Sequence, residues 1–411
     1  MGDDIRIAHL DIGWWPGHYS APLHMRCDLG WNFVEGGKDT VDPGEGINAG
    51  HGTATLALLA GNKVTLCGTS AENQGKVYEG FIGGAPEAEI VPVRIAGVAG
   101  SVIYLYGETM ARGLTYALDP GDGKACDVVS LSHGGLPMKS WARAVNSLFE
   151  AGVVVVAAAG DSFWAEVTDI ATHFTVYPSA FYRVVTATGV TYDGGSYKRN
   201  ELGVMQGCWG PDAVMKKATG AYTPNVPWMV YRTEHGWDMN GGGTSASAPQ
   251  IAAACALWLA AYGKDYARNW RRVAACRKAL ALSAADKEKN FSEIGLGRLD
   301  IAAMLDKKLA TKVKTLSEQG KLQHIPPDDV SFPFFRLLFG LPPPGDGIKE
   351  MYEVEAMQIM YGSHNKFLFR AMEAYANGRR PSKEQRTDLK TLFLQEQNMS
   401  TSLRTFLDAY A

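Results

Sequence analysis

Over the first three hundred residues, short β-branched apolar runs alternate with longer stretches whose apolar residues recur at helical spacing. Ile5–Leu10, Ile90–Ile95, Val128–Ser132, Val153–Ala158 and Val184–Val190 read as strands. His51–Ala60, Thr109–Ala117, Ser140–Ala151 and Ser245–Tyr262 read as helices. Val153–Val156 is apolar without interruption, as expected of a parallel strand buried on both faces. This alternation predicts an α/β fold in which helices cover a mostly parallel sheet. In such folds functional groups gather at the carboxyl ends of the strands, where this chain places glycine-rich loops.

After about Leu305 the pattern changes: glycine thins out and the β-branched runs stop. Lys307–Gln319 reads as an exposed helix. An apolar stretch, Phe332–Phe339, and a Pro/Gly-rich connector, Leu341–Gly347, follow it. Helical patterns then cover Ile348–Tyr361, Lys366–Asn377, Ser382–Gln397 and Ser400–Tyr410, and Ser382 with Gln385 has capping-box spacing. The chain therefore divides into a catalytic-type α/β domain, 1–306, and a mostly α-helical accessory region, 307–411.

Composition excludes more than it selects. The 411 residues are 46% hydrophobic and 20% charged, with a net charge of -3, so nothing favours nucleic acid or an anionic membrane as partner. The most apolar run, Ile251–Tyr262, is too short to span a bilayer. The acidic start, Met1–Arg6, has no signal-peptide pattern. Six scattered cysteines form no Cys-x-x-Cys pair, so a cytoplasmic protein with reduced thiols is expected; a trimmed mature form of a secreted enzyme is the alternative. No metal or nucleotide motif is found, and no cofactor is expected. In Asn62–Gly83, Glu72 and Glu79 form no calcium-ligand series.

Three positions carry chemistry. Gly241-Gly242-Gly243-Thr244-Ser245 leads into a long apolar helix, whose free N–H groups would help hold an oxyanion beside a nucleophilic serine. The bland reading is a helix cap after a flexible loop. His51, framed by Gly50 and Gly52, opens another helix and supplies a general base. Asp11 ends the first strand, where a carboxylate can orient that base. As a strand-end or cap residue, Asp11 would need no such role.

The order Asp, His, Ser resembles that of the subtilisin-like serine peptidases. The resemblance covers roughly residues 5–306 and implies a three-layer subtilisin-like fold, with serine endopeptidase activity on polypeptide substrates. Its catalytic residues would be Asp11, His51 and Ser245. Asp127–Gly135 resembles the strand lining the substrate pockets, with His133 where leucine is usual. Gly97–Val102 resembles the segment that pairs with substrate as an added strand. Tyr177-Pro178 resembles a cis-proline segment, with Val176 just before it narrowing the first specificity pocket. Gly295–Asp300 resembles the closing segment of the domain. The resemblance thus puts Gly100, Ser132, His133, Gly134, Gly160, Val176 and Thr244 beside the substrate.

One departure stands out. The family pattern Ala-Ala-Gly-Asn supplies an oxyanion donor from its asparagine, but this chain reads Ala157-Ala158-Ala159-Gly160-Asp161. An ionised Asp161 offers only acceptors, whereas a protonated one can donate. The oxyanion hole would then comprise Asp161 and the start of the Ser245 helix. Three readings follow: an active peptidase with protonated Asp161, a peptidase switched on by a partner, or a catalytically impaired binding module. The region 307–411 either regulates the site, recruits a protein partner or self-associates, or simply packs on the domain and stabilises it.

Overall fold

The computed structural model describes residues 2–44, 49–67, 75, 77–97, 107–135, 137–162, 175–197, 205–287, 290–328, 352, 355, 356, 359 and 382–409. The Gly97–Val102 segment beyond Gly97, Gly100 included, lies outside them. So do Glu72, the Phe332–Phe339 stretch, the Leu341–Gly347 connector, Lys366–Asn377 and most of Ile348–Tyr361.

Seven strands form the central sheet: β1 (Arg6–Asp11), β2 (Trp31–Asn32), β3 (Glu89–Arg94), β4 (Val128–Leu131), β5 (Val154–Ala158), β6 (Val185–Val190) and β7 (Ala218–Tyr222). Their order is β7-β6-β5-β4-β1-β3-β2, and every pairing is parallel. Alternate residues feed two cores, one on each face. Ile7, Val128, Val154 and Val156 face α1 (His51–Ala60), α4 (Thr244–Tyr262) and α5 (Trp270–Ser283). Ala8, Val129, Leu131 and Val155 face α2 (Gly107–Tyr116) and α3 (Lys139–Glu150). This is the expected three-layer architecture.

Helix α4 is apolar on nearly all sides because it lies inside the core, packed on β4 to β7 and on α1. The predicted elements within the described residues return with ends shifted by up to three residues. Others were not legible, among them β2, β7 and α5. The strand β7 reads Ala-Thr-Gly-Ala-Tyr, too small and mixed for an apolar run, and takes its extended form from pairing with β6. Helix α5 carries Arg271, Arg272, Arg277 and Lys278, which mask its periodicity.

The packed unit runs past 306. In α6 (Lys307–Glu318), Ala310 and Val313 are buried, and Val313 and Leu322 join the α4/α5 core. Asp328 ends this stretch with its carboxylate on the Tyr182 and Arg183 N–H groups, at 2.7 and 2.9 Å. The helix expected at 307 is largely exposed, as expected, but its Ala310 and Val313 face the core. Further on lie α7 (Lys383–Leu394) and α8 (Thr401–Ala409), with Leu389, Phe393, Leu403 and Leu407 buried. Ser382 and Gln385 form the capping box their spacing predicted. Among the described residues, no helix is long and apolar enough to cross a membrane.

Behind the sheet, buried Asp127 joins three elements. It accepts from the Arg6 backbone N–H at 2.9 Å, from Arg268 at 2.9 Å and from Arg272 at 2.6 Å. Asp127→Ala strands the buried Arg272 guanidinium and should lower unfolding stability by about 3–5 kcal/mol. Urea denaturation of the variant measures it; a loss below about 1 kcal/mol would show the network to be dispensable.

Candidate active site

Asp11, His51 and Ser245 converge at the carboxyl edge of the sheet because β1, α1 and α4 each present a terminus there. Asp11 is the last residue of β1. His51 is the first residue of α1, held by Gly50 in the left-handed region (φ 85°). Gly52 lets this helix start press against β1: a Cβ there would meet the Gly13 carbonyl oxygen at 1.9 Å. Ser245 lies in the first turn of α4.

The Asp11 carboxylate is buried and receives four donors. Oδ1 accepts from Ile12 N–H (2.8 Å), His51 Nδ1 (2.8 Å) and His133 Nε2 (3.0 Å). Oδ2 accepts from the Thr55 hydroxyl at 3.1 Å. Burial alone would raise its pKa, but His51 and His133 outweigh that and hold it well below the usual carboxylate range. An ionised carboxylate only accepts, so His51 carries its proton on Nδ1 and His133 on Nε2. The tautomer leaves His51 Nε2 bare, as a general base requires.

His51 is pulled two ways. Burial disfavours its charged form, yet Asp11, helped by Asp161 and Asp42, raises its pKa above the ordinary histidine value. Its ring lies 5.1 Å from that of His133 and 6.0 Å from that of Trp228. The Ser245 hydroxyl donates to the Ser132 carbonyl at 3.2 Å. Ser132 returns a bond to the Ser245 carbonyl at 2.9 Å, tying β4 to α4.

Asp161 is built into the turn before Ser245. Its Oδ1 accepts the Thr244 N–H at 2.8 Å, and its Oδ2 lies 3.3 Å from the Thr244 hydroxyl. Thr244 also binds both the N–H and the carbonyl of Gly160, at 3.0 and 3.1 Å. Gly243 (φ 77°) lets the chain pass: a Cβ there would come within 2.9 Å of Asp161 Oδ2. Burial pushes the Asp161 carboxyl up to about 6, against the Thr244 hydrogen bonds and the His51 charge.

The expected substrate wall is partly assembled. The Val176 side chain covers two glycines, since a Cβ on Gly134 or Gly160 would meet its methyls at 2.3 or 2.8 Å. The Tyr177–Pro178 bond is cis. His133 turns its ring onto Asp11, a buried and ionised acceptor. Two contributors went unread in the sequence, His9 and Thr55. His9 Nε2 meets the Thr55 hydroxyl at 2.9 Å, and burial lowers His9 to about 4, so it stays neutral and donates. A signal existed for both: His9 shares the face of Asp11 on a strand, and Thr55 lies one helical turn beyond His51.

Among the described residues, Asp11, His51 and His133 also form a group with metal-ligand spacing, their ligand atoms all within 4.8 Å of one another. The direct hydrogen bonds between those atoms account for the spacing without an ion.

Comparison with known proteins agrees with this geometry. Residues 2–298 match the sequence model of the Subtilase family. Subtilisin Savinase from Lederbergia lenta is 29% identical over 258 residues, 62% of this chain and 76% of that one. Subtilisin DY from Bacillus licheniformis is 26% identical over 264 residues, 64% and 78% of the two chains. An alkaline protease from Alkalihalobacillus alcalophilus is 29% identical, and this chain spans about half of its length, 54%. Among solved structures, a mutant of the protease domain of PatA covers 78% of this chain and 98% of its own, with TM-score 0.53 at 18% identity. The prenylagaramide maturation protease PagA covers 74% and 94%, with TM-score 0.52 at 17% identity. At such identities the structural likeness speaks for the fold.

His133 and His51 share one carboxylate oxygen. In His133→Leu the oxygen keeps only the Ile12 N–H beside His51 and stabilises the charged form of His51 more. The pKa of His51, read from its imidazole NMR signal, should rise by about one unit. An unmoved pKa would show that His133 only fills space.

Proposed function

Because the chain belongs to the subtilase family, a family of serine endopeptidases, we propose that Asp11, His51 and Ser245 form its catalytic triad and cleave polypeptides through an acyl-enzyme on Ser245. The observation that carries this reading is the 2.8 Å bond from His51 Nδ1 to an ionised, buried Asp11, with Ser245 opening the neighbouring helix. In the reaction the Ser245 hydroxyl leaves the Ser132 carbonyl for His51 Nε2. The Ser245 oxygen attacks the scissile carbonyl carbon as His51 takes the proton. His51 then gives that proton to the departing amine, and water hydrolyses the ester by the same steps.

The oxyanion needs donors. The N–H groups at the start of α4 supply backbone donation, and Asp161 Oδ2 supplies a second donor only when protonated. Here two requirements collide. Asp161 must hold a proton, which it loses above about pH 6, while His51 must be neutral, which its raised pKa opposes near there. The competent form is the minor arrangement of one proton shared between the two groups, so turnover follows a bell with a low summit. The second reading, a subtilase at rest until a partner acts, is favoured by the Ser245 hydroxyl being bonded to Ser132.

Val176 over Gly134 and Gly160 supports a shallow first pocket suited to small side chains. The accessory region 307–411, whose first stretch packs on the α/β core through Val313 and Leu322, is read as recruiting a protein partner or a second copy. The thiols of Cys126, Cys255 and Cys276, none of them in a disulfide, fit a reducing, cytoplasmic setting.

Labelling with a fluorophosphonate tests the nucleophile. Wild-type protein should be captured at Ser245, and Ser245→Ala and His51→Ala should not be. No capture between pH 5 and 9 would leave the binding-module reading. Asp161→Asn tests the oxyanion donor. It restores a fixed donor and removes a negative charge near His51, so the bell should become a single rise through a lower pKa. Turnover above pH 7 should grow by about 100-fold. Equal pH profiles for the two forms would exclude Asp161 from the oxyanion hole.

A further inference from the structure

On the edge of the sheet opposite the triad, a cavity of about 410 Å³ opens between the starts of β6 and β7, helix α5 and the segment after α6. Five basic side chains line it, Lys216, Lys217, Arg277, Lys278 and Lys321, and no carboxylate does; burial pushes the Lys217 amine well below the usual lysine range. Lys217 is already committed. Its Nζ donates to the Ser179 and Val184 carbonyls, at 2.7 and 3.0 Å, and to the Thr186 hydroxyl.

Arg277 is different. Its Nη1 is enclosed by protein and has no hydrogen-bond partner, and the same holds for the Thr219 hydroxyl on the cavity wall. Asp328, the carboxylate whose charge acts on Arg277, has its oxygens on the Tyr182 and Arg183 N–H groups. Burial lowers the guanidinium only to about 10, so it is charged at neutral pH. An enclosed guanidinium nitrogen without a hydrogen-bond partner is costly, and the planar fork of the Arg277 donors matches two oxygens of an oxyanion. The lining offers more positive charge than one carboxylate would balance. The volume lies in the range of small-molecule pockets, and Leu296 and Ile325 provide apolar wall.

We propose that this cavity is a binding site for a small phosphate-bearing molecule, held by Arg277 and neutralised by Lys216, Lys278 and Lys321, on the opposite side of the sheet from the triad. The arrangement is independent of the triad chemistry and survives if Ser245 proves unreactive.

Calorimetric titration of the full chain with pyrophosphate, at constant ionic strength, tests it. One saturable site is expected. Arg277→Gln, and separately the exposed pair Lys278→Gln with Lys321→Gln, should each weaken binding by about tenfold or more. The melting temperature without pyrophosphate verifies that each variant is folded, and the exposed pair guards against misfolding of the buried one. No saturable heat, or unchanged affinity in the folded Lys278→Gln/Lys321→Gln variant, would overturn the proposal.

Discussion

A single buried carboxylate organises the active end of this molecule. Asp11 sits at the end of the inner strand β1, buried from water, and four hydrogen-bond donors converge on it. Removing it would strand two histidines and a threonine as well as one charge. The register of β1 between β3 and β4 fixes where Asp11 lies, and the start of α1 fixes His51 against it. The sheet is the scaffold, and the electrostatic demand of Asp11 decides which side chains turn inward at its edge.

Much of this was legible from residue order alone. The spacing of apolar runs located five of the seven sheet strands, and the glycines around His51 and before Ser245 marked close backbone approach. What escaped has physical causes. The strand β7 has no apolar run because its position is imposed by pairing with β6. His133 reads as a pocket residue because its neighbours resemble a pocket strand; that its ring turns onto Asp11 shows only in the fold. His9 and Thr55 each looked ordinary; only folding brings strand and helix together to make them a relay. The tie of Asp328 to residues far earlier in the chain had no local sequence signal at all.

Asp161 shows how one atom set serves two purposes. Its carboxylate takes the Thr244 N–H, which satisfies an open donor at the first turn of α4. An asparagine would satisfy that donor equally through its carbonyl oxygen. The distinction between the two residues therefore falls on the second oxygen, the one left facing the Thr244 hydroxyl. The local fold tolerates either residue, since both accept the Thr244 N–H.

Asp328 is fastened on both sides, its carboxylate to Tyr182 and Arg183 and its backbone to the Asn146 side chain at 2.9 and 2.7 Å. Tyr182 lies only a few residues along the chain from Val176, whose side chain covers Gly134 and Gly160. A pull on the chain at Asp328 would thus enter the α/β unit a few residues from the side chain that covers those two glycines, so in mechanical terms the clasp and that wall share one short lever.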